Sequence, residues 1–147
     1  MHRNIQIFVV AAIVVGVISG IGYYAIPEIE KFQQKNEVRL SVQETIGSFN
    51  GTLDSIVLTE GKYYSFVVDE KLEKILLHPR EELIDTMPKG LTNANISIEK
   101  MNERLSDQGE TWIEYEFYNP ITGNVDPKTT YLVSHEGYVF GAGFYSP

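Results

Sequence analysis

The side chain with the most to offer chemically is Lys128, in the run Pro127-Lys128-Thr129-Thr130-Tyr131. In a concave site a lysine neutralises the carboxylate of an organic acid or an amino acid, whereas on an open surface it is only a solvated charge. Three tyrosines share its part of the chain. Tyr115, Tyr131 and Tyr145 have rings that fill space and hydroxyls that direct a polar ligand, and the same three residues would also serve as plain core aromatics. Gly141 and Gly143 sit two apart in an apolar run, and glycines inside a strand leave room for a ligand or another backbone. Strict alternation sends Lys128 and Tyr131 to opposite faces, so both meet one ligand only if Pro127 distorts the start of the strand. His78, just before Pro79, reads either as a pocket donor or as a strand-end residue.

The sequence lacks the usual arrangements for catalysis. It contains no G-x-S-x-G, H-E-x-x-H, Walker loop or G-x-G-x-x-G, and Gly141-Ala142-Gly143 has no helix after it to hold a phosphate. With no cysteine there is no thiolate nucleophile, disulfide or sulfur metal site. The three histidines, His2, His78 and His135, are far apart in sequence, and the acidic group Glu81, Glu82, Asp85 lacks the glycine-centred spacing of a calcium loop, so it reads as a solvated helix face. No enzyme activity, metal or cofactor is expected. Net charge is −8 with 20 acidic residues, all of them beyond residue 27, and such a surface repels phosphate backbones and excludes a nucleic-acid partner.

Those candidate residues must be positioned by a sheet. Residues 112–118 alternate Ile113, Tyr115, Phe117 against Trp112, Glu114, Glu116, the two-residue period of a strand with one face in a core and one in water. Asn119-Pro120 and Thr122-Gly123-Asn124 make a long hairpin loop, 128–134 resumes the alternation, His135-Glu136-Gly137 forms a three-residue turn, and 138–145 closes the meander. Upstream, residues 62–68 (KYYSFVV) are a strand and 72–78 its return. The stretch 80–91 is a helical insert ended by Pro88-Lys89-Gly90, and Ile98, Met101 and Leu105 repeat at helical spacing up to Gly109. Before the first strand, Val42, Ile46, Phe49, Leu53 and Ile56 recur at four, three, four and three residues, one apolar stripe on a long helix that packs on the sheet and also offers a homodimer seam. The predicted class is α+β: a long helix on a PAS-like, five-stranded antiparallel sheet with helices on one side.

The amino terminus is of another kind. Residues 5–26 are 22 mostly apolar residues without a charge, against about 20 needed to cross a bilayer as a helix. His2 and Arg3 precede them while Glu28 and Glu30 follow, which leaves the N-terminus in the cytoplasm and the rest outside the cell membrane. Residues 1–27 are therefore expected to be a single-pass anchor held by lipid, 28–41 a stalk and 42–147 one domain. The rival is a cleaved signal peptide, with Ser19, Gly20 and Gly22 near the cut and a secreted product. With four residues ahead of the span, output would pass through a separate membrane signalling partner. The other functional class the layout allows is a pilin-like structural or adhesive envelope subunit, although that group's processing glycine and early glutamate are missing. Two sequons, at Asn50 and Asn95, fall on the outer side.

The order W-x-x-Y at Trp112 and Tyr115, N-P-x-T-G at 119–123, P-K-x-x-Y at 127–131 and G-A-G-x-Y at 141–145 resembles the carboxy-terminal half of a single Cache domain of type 2-like pattern. The Y-x-F-V-x-D at 64–69 and His78-Pro79 fit the same family upstream, and the resemblance spans about 42–145. It implies a PAS-like fold and an extracytoplasmic sensory domain that binds a small polar molecule, with signal transduction as its role. Family pockets draw on the first central strand, which adds Tyr64 and Phe66 to the ligand-binding set of His78, Tyr115, Lys128, Tyr131 and Tyr145, and on the helical insert, where this sequence gives no distinctive residue. The arginine and tryptophan pattern of amino-acid-binding double Cache domains is not visible in this sequence.

Overall fold

The computed structural model describes residues 25–146. The expected membrane segment, 5–26, lies outside the described residues but for its last two. Among the described residues no helix is long and apolar enough to cross a membrane. The chain divides into two units, residues 1–36 and 37–147. The described part of the first unit, 25–36, belongs to helix α1 (Ala25–Ser48) and exposes Ile29 and Phe32.

The second unit is built on one sheet of five antiparallel strands: β1 (Ser65–Asp69), β2 (Ile75–Leu77), β3 (Glu110–Tyr118), β4 (Val125–His135) and β5 (Tyr138–Tyr145), in the spatial order β2-β1-β5-β4-β3. The α+β class and the five strands follow the sequence pattern. The helices do not all lie on one side. Residues of α1, with Val38 and Val42 fully buried, pack with Val67, Tyr131, Phe140, Ala142 and Phe144 on one face. On the other face, helices α2 (Lys89–Thr92) and α3 (Ile98–Gln108) bring Leu91, Met101 and Leu105 against Phe66, Val68, Ile113, Tyr115, Leu132 and Val139.

The cause is in the central strands. β5 is buried without a break from Val139 to Phe144, and β4 from Lys128 to Leu132, so neither strand has a wet side. Only outer β3 keeps the expected polar face, at Glu114 and Glu116. Each large side chain buried in these layers contributes about 1.5–3 kcal/mol of transfer free energy, enough to make both coverings obligatory.

Several boundaries move for local reasons. The apolar stripe does reach one surface, since Val42, Ile46, Phe49, Leu53 and Ile56 all join the same cluster, but α1 stops at Ser48. There the Ser48 hydroxyl donates to Thr45 O and accepts from Val57 N, and Gly51 takes φ +98°, so residues 49–56 cross the sheet as irregular chain with one 3-10 turn, Leu53–Ser55. The return strand is short because Leu72 sits in the left-handed region at φ 60°. The helical turn of the insert is present, as a 3-10 turn at Glu81–Leu83, but Pro88 does not end the insert: it caps the start of α2. The β4–β5 turn is a two-residue loop, with Glu136 at φ 48° and Gly137 at φ 80°, the positive pair a tight hairpin needs.

Helix α3 follows its sequence signals closely. Ser97 Oγ accepts from Lys100 N at its start, and Gly109 closes it at φ 76°. Just before it, Asn95 clasps the outer strand: its backbone N–H donates to Glu114 O, and its side-chain oxygen accepts from Glu114 N.

Candidate functional site

On the α3 face, the sheet and the insert enclose a cavity of about 320 Å³. Phe66 from β1, Ile75 and His78 from β2 and its end, Tyr115 and Phe117 from β3, and Lys128 from β4 form its floor, and residues 82–91 form its roof. The roof is tied to the sheet edge, because Ile75 N donates to Thr86 O and Asp85 N donates to Ile75 O. The walls are mostly carbon, so the few polar groups decide what fits.

Lys128 is 3% exposed, at the point where β4 lies opposite Tyr115 on one side and Tyr145 on the other. Its stem crosses Gly143, where an added Cβ would stand 3.1 Å from Lys128 Cε and 2.5 Å from Thr130 Oγ1. Gly141 makes similar room for the Phe66 ring, whose Cζ lies 2.4 Å from where a Cβ would be. The two glycines thus shape the wall indirectly, by admitting the side chains that line it.

The ammonium of Lys128 donates to the Tyr64 hydroxyl at 2.9 Å and lies 4.7, 5.2 and 5.2 Å from the ring centres of Tyr64, Phe117 and Tyr145. Ring faces stabilise a desolvated cation by about 2 kcal/mol or more. Among the described residues no carboxylate comes within ion-pairing distance of it. Burial opposes the charge, but the phenol oxygens of Tyr115, Tyr64 and Tyr145 outweigh that and hold the proton above the ordinary lysine range.

His78 supplies a second donor. Its Nδ1 accepts from Arg80 N at 2.9 Å, which leaves the hydrogen of the neutral ring on Nε2. Burial, then the charges of Lys128 and Arg80, lower its pKa from 6.5 to about 4, so the ring stays neutral near pH 7. Tyr64 and Phe66 pack against it, with ring centres 5.2 and 6.1 Å away. Among the described residues no buried side-chain polar atom lacks a partner and no group bonds Nε2, so Nε2 is not sealed in the core, and His78 lines the cavity. At the rim, Glu82 is held by Arg80, whose Nε and Nη2 both reach Oε1 at 2.8 Å.

Of the residues singled out in the sequence, Phe66, His78, Tyr115 and Lys128 line the cavity, and Tyr64 and Tyr145 stand behind them around the ammonium. Tyr131 is not brought to it. The β3–β4 register runs without a break from Tyr118↔Val125 to Glu110↔Val133, so Pro127 causes no distortion and alternation carries Tyr131 to the α1 face. There it stacks on Trp112 with centres 4.8 Å apart, Arg39 lies 5.5 Å over its ring, and its hydroxyl donates to Glu110. Sequence reasoning missed Phe117 and singled out no residue of the roof, although the resemblance pointed to the insert. Phe117 shares the period of Ile113 and Tyr115 and was legible; Leu83, Met87 and Leu91 belong to no periodic segment. Gly90 was read as a helix end, whereas it lets α2 lie on Tyr115, where a Cβ would stand 2.3 Å from the ring. Among the described residues no three His, Asp or Glu side chains converge as metal ligands would.

A family model described as Cache domain matches residues 20–146, and the chain belongs to that family. Two solved structures share the fold. One is titled as the periplasmic sensor domain of a chemotaxis protein, at 17% identity and TM-score 0.50 over 84% of this chain and 94% of that one. The other is a methyl-accepting chemotaxis protein from Vibrio parahaemolyticus RIMD 2210633, at 16% identity and TM-score 0.57 over 83% and 92%. No curated protein matches the sequence.

Proposed function

We propose that this Cache domain is an extracytoplasmic sensor for a small organic acid, held at the cell membrane by residues 5–26, which passes on its occupancy through a separate membrane partner. One observation carries the ligand class: Lys128 presents a buried ammonium to an apolar cavity, and among the described residues no carboxylate pairs with it. An ammonium held by ring faces and one phenol still lacks a counter-charge, which an incoming carboxylate supplies while the His78 Nε2–H offers it a second bond. The apolar walls favour a short hydrocarbon body on that carboxylate. An α-amino acid fits less well, because the one acid among the described lining residues, Glu82, is engaged by Arg80. The two similar chemotaxis-protein structures support a sensory setting, and the apolar run supports the anchor.

The test is a thermal-shift titration with mono- and dicarboxylates, amino acids and amines, on wild type and Lys128→Met. A ligand at about 100 times its dissociation constant adds roughly 2.7 kcal/mol to stability. Carboxylates should raise the wild-type melting temperature and shift the variant's clearly less at the same concentration. A response to amines alone, or an equal response in both proteins, would overturn the reading.

A further inference from the structure

The sequon at Asn50 is a motif that neither the cavity nor the sheet accounts for. Asn50-Gly51 is the only asparagine–glycine pair in the chain. Asparagine is among the thermolabile side chains, and a following glycine has no side chain to shield its backbone nitrogen from the asparagine amide carbon. Both residues are exposed in the irregular chain just past α1, and Gly51, at φ +98°, has nothing within 4 Å of where a Cβ would stand. Among the described residues no group accepts from the Gly51 N–H. The asparagine is held in place: its backbone N–H donates to Ser55 Oγ at 2.9 Å, and its Oδ1 accepts from Thr52 Oγ1 at 3.1 Å. A hydroxyl on Oδ1 draws electrons from Cγ and stands where an oxyanion on that carbon would need a donor.

The other described asparagines lack one or more of these features. Ile96 and Val125, which follow Asn95 and Asn124, are β-branched and crowd the amide, and Pro120, after Asn119, has no N–H. The amide after Asn93, on Ala94, is taken up by Leu91 O. Asn36 and Asn102 are inside α1 and α3. The second sequon differs again, because Asn95 Oδ1 accepts from Glu114 N and so helps to hold the outer strand.

We propose that Asn50 is a self-modification site, where the folded chain deamidates through a cyclic imide closed by the Gly51 nitrogen and assisted by the Thr52 hydroxyl. The Gly51 nitrogen gives its proton to solvent base and bonds Asn50 Cγ, the Cγ–Nδ2 bond breaks, and the departing nitrogen takes a proton from water and leaves as ammonia. Water then adds to either imide carbonyl. Breaking the new Cγ–N bond gives aspartate, whereas breaking the bond from the backbone carbonyl carbon gives isoaspartate, whose main chain runs through Cβ and Cγ and is one atom longer. Both products add a negative charge and end the sequon. The longer backbone falls between Phe49 and Leu53, which pack in the same apolar cluster, so it strains the link from α1 to the sheet and the Asn50–Ser55 bond. None of this depends on the ligand or the membrane segment.

The test incubates the full chain at neutral and at mildly alkaline pH, native and in urea. Trypsin then yields residues 40–62, with Asn50 as their only asparagine, and residues 90–100, with Asn93 and Asn95 as the control. Mass spectrometry reads the exchange of NH for O, and an L-isoaspartyl methyltransferase reads the longer product. The expected result is conversion of 40–62 in the native chain, faster at the higher pH and yielding both products, with 90–100 unchanged. Thr52 makes no side-chain cap to the turn that follows, so Thr52→Val removes only the hydroxyl and should slow the native reaction severalfold without slowing it in urea. A 40–62 peptide that stays intact in the native chain but converts in urea overturns the site, and so does equal conversion of the two peptides. An equal native rate in Thr52→Val overturns the part given to the hydroxyl.

Discussion

Lys128 and Tyr131, three residues apart on β4, leave the sheet on opposite faces: the first ends in the cavity under the insert, the second against α1 and Trp112. One strand thus has its charge on the binding side and its stacked aromatic on the helix side, and the two positions respond differently to substitution.

Lys128→Met should fold, because a buried ammonium with one hydrogen bond is replaced by an apolar chain of similar length. The unliganded melting temperature falls modestly, because the bond to Tyr64 and the ring contacts of the ammonium are lost. Carboxylate affinity falls by about 1.5–3 kcal/mol, the worth of a hydrogen bond to a charged group, or roughly tenfold to a hundredfold. Calorimetric titration of both proteins with the best carboxylate checks it.

Tyr131→Phe removes the hydroxyl that donates to Glu110 and should leave carboxylate affinity unchanged. The phenol is pushed up to about 12 by burial and by Glu110, so it stays protonated across the working range and its loss costs only about 1 kcal/mol of stability. Urea unfolding beside a binding isotherm separates the two effects. An affinity loss in this variant would place Tyr131 in the site after all.

Gly90→Ala forces a Cβ to within 2.3 Å of the Tyr115 ring, which the insert can relieve only by lifting. The expected cost is about 1–3 kcal/mol of stability, with weaker binding because the roof moves. Gly143→Ala should be harsher, since the new Cβ meets Thr129 O at 2.6 Å, an atom fixed in the strand. Thermal melts of the two variants test the order.

His78 has a folded pKa of about 4 against 6.5 for the free side chain, so between those values the unfolded chain binds the extra proton. Stability should be level above pH 6.5, fall as pH drops from 6.5 to about 4 by on the order of 2 kcal/mol, and level off below for this group. His78→Gln should flatten that slope. Melting temperatures taken every half pH unit would show it, and an unchanged slope would assign the acid sensitivity to other groups.

How much of this was legible in the sequence follows from how each residue is held. The strands β3 to β5 and the helix α3 carry their own signals: period two, turn residues, the spacing of Ile98, Met101 and Leu105, and the Gly109 stop. The cavity floor was legible for the same reason, since Tyr115 and Lys128 are on periodic strands and the opposition of Lys128 to Tyr131 follows from counting. The roof was not. Residues 82–91 have no period and stay in place through two backbone bonds to Ile75 and the fit of Gly90 on Tyr115, contacts that exist only once the sheet has formed. The second covered face was missed because Thr129, Thr130 and Ser65 look polar, yet are buried, with partners such as Thr45 for Ser65.

The clasp of Asn95 on Glu114 bears on how copies of this domain can meet. An outer strand normally offers its free amides as a template on which another strand can grow, the first step towards fibrils and sheet-extended dimers. Here the middle of β3 is already occupied by a residue of its own chain, and exposed Glu110, Glu114 and Glu116 place like charges along the rest. Two such edges repel each other, so crowding does not convert these domains into a continuous ribbon through β3, and assembly has to use a surface other than that edge.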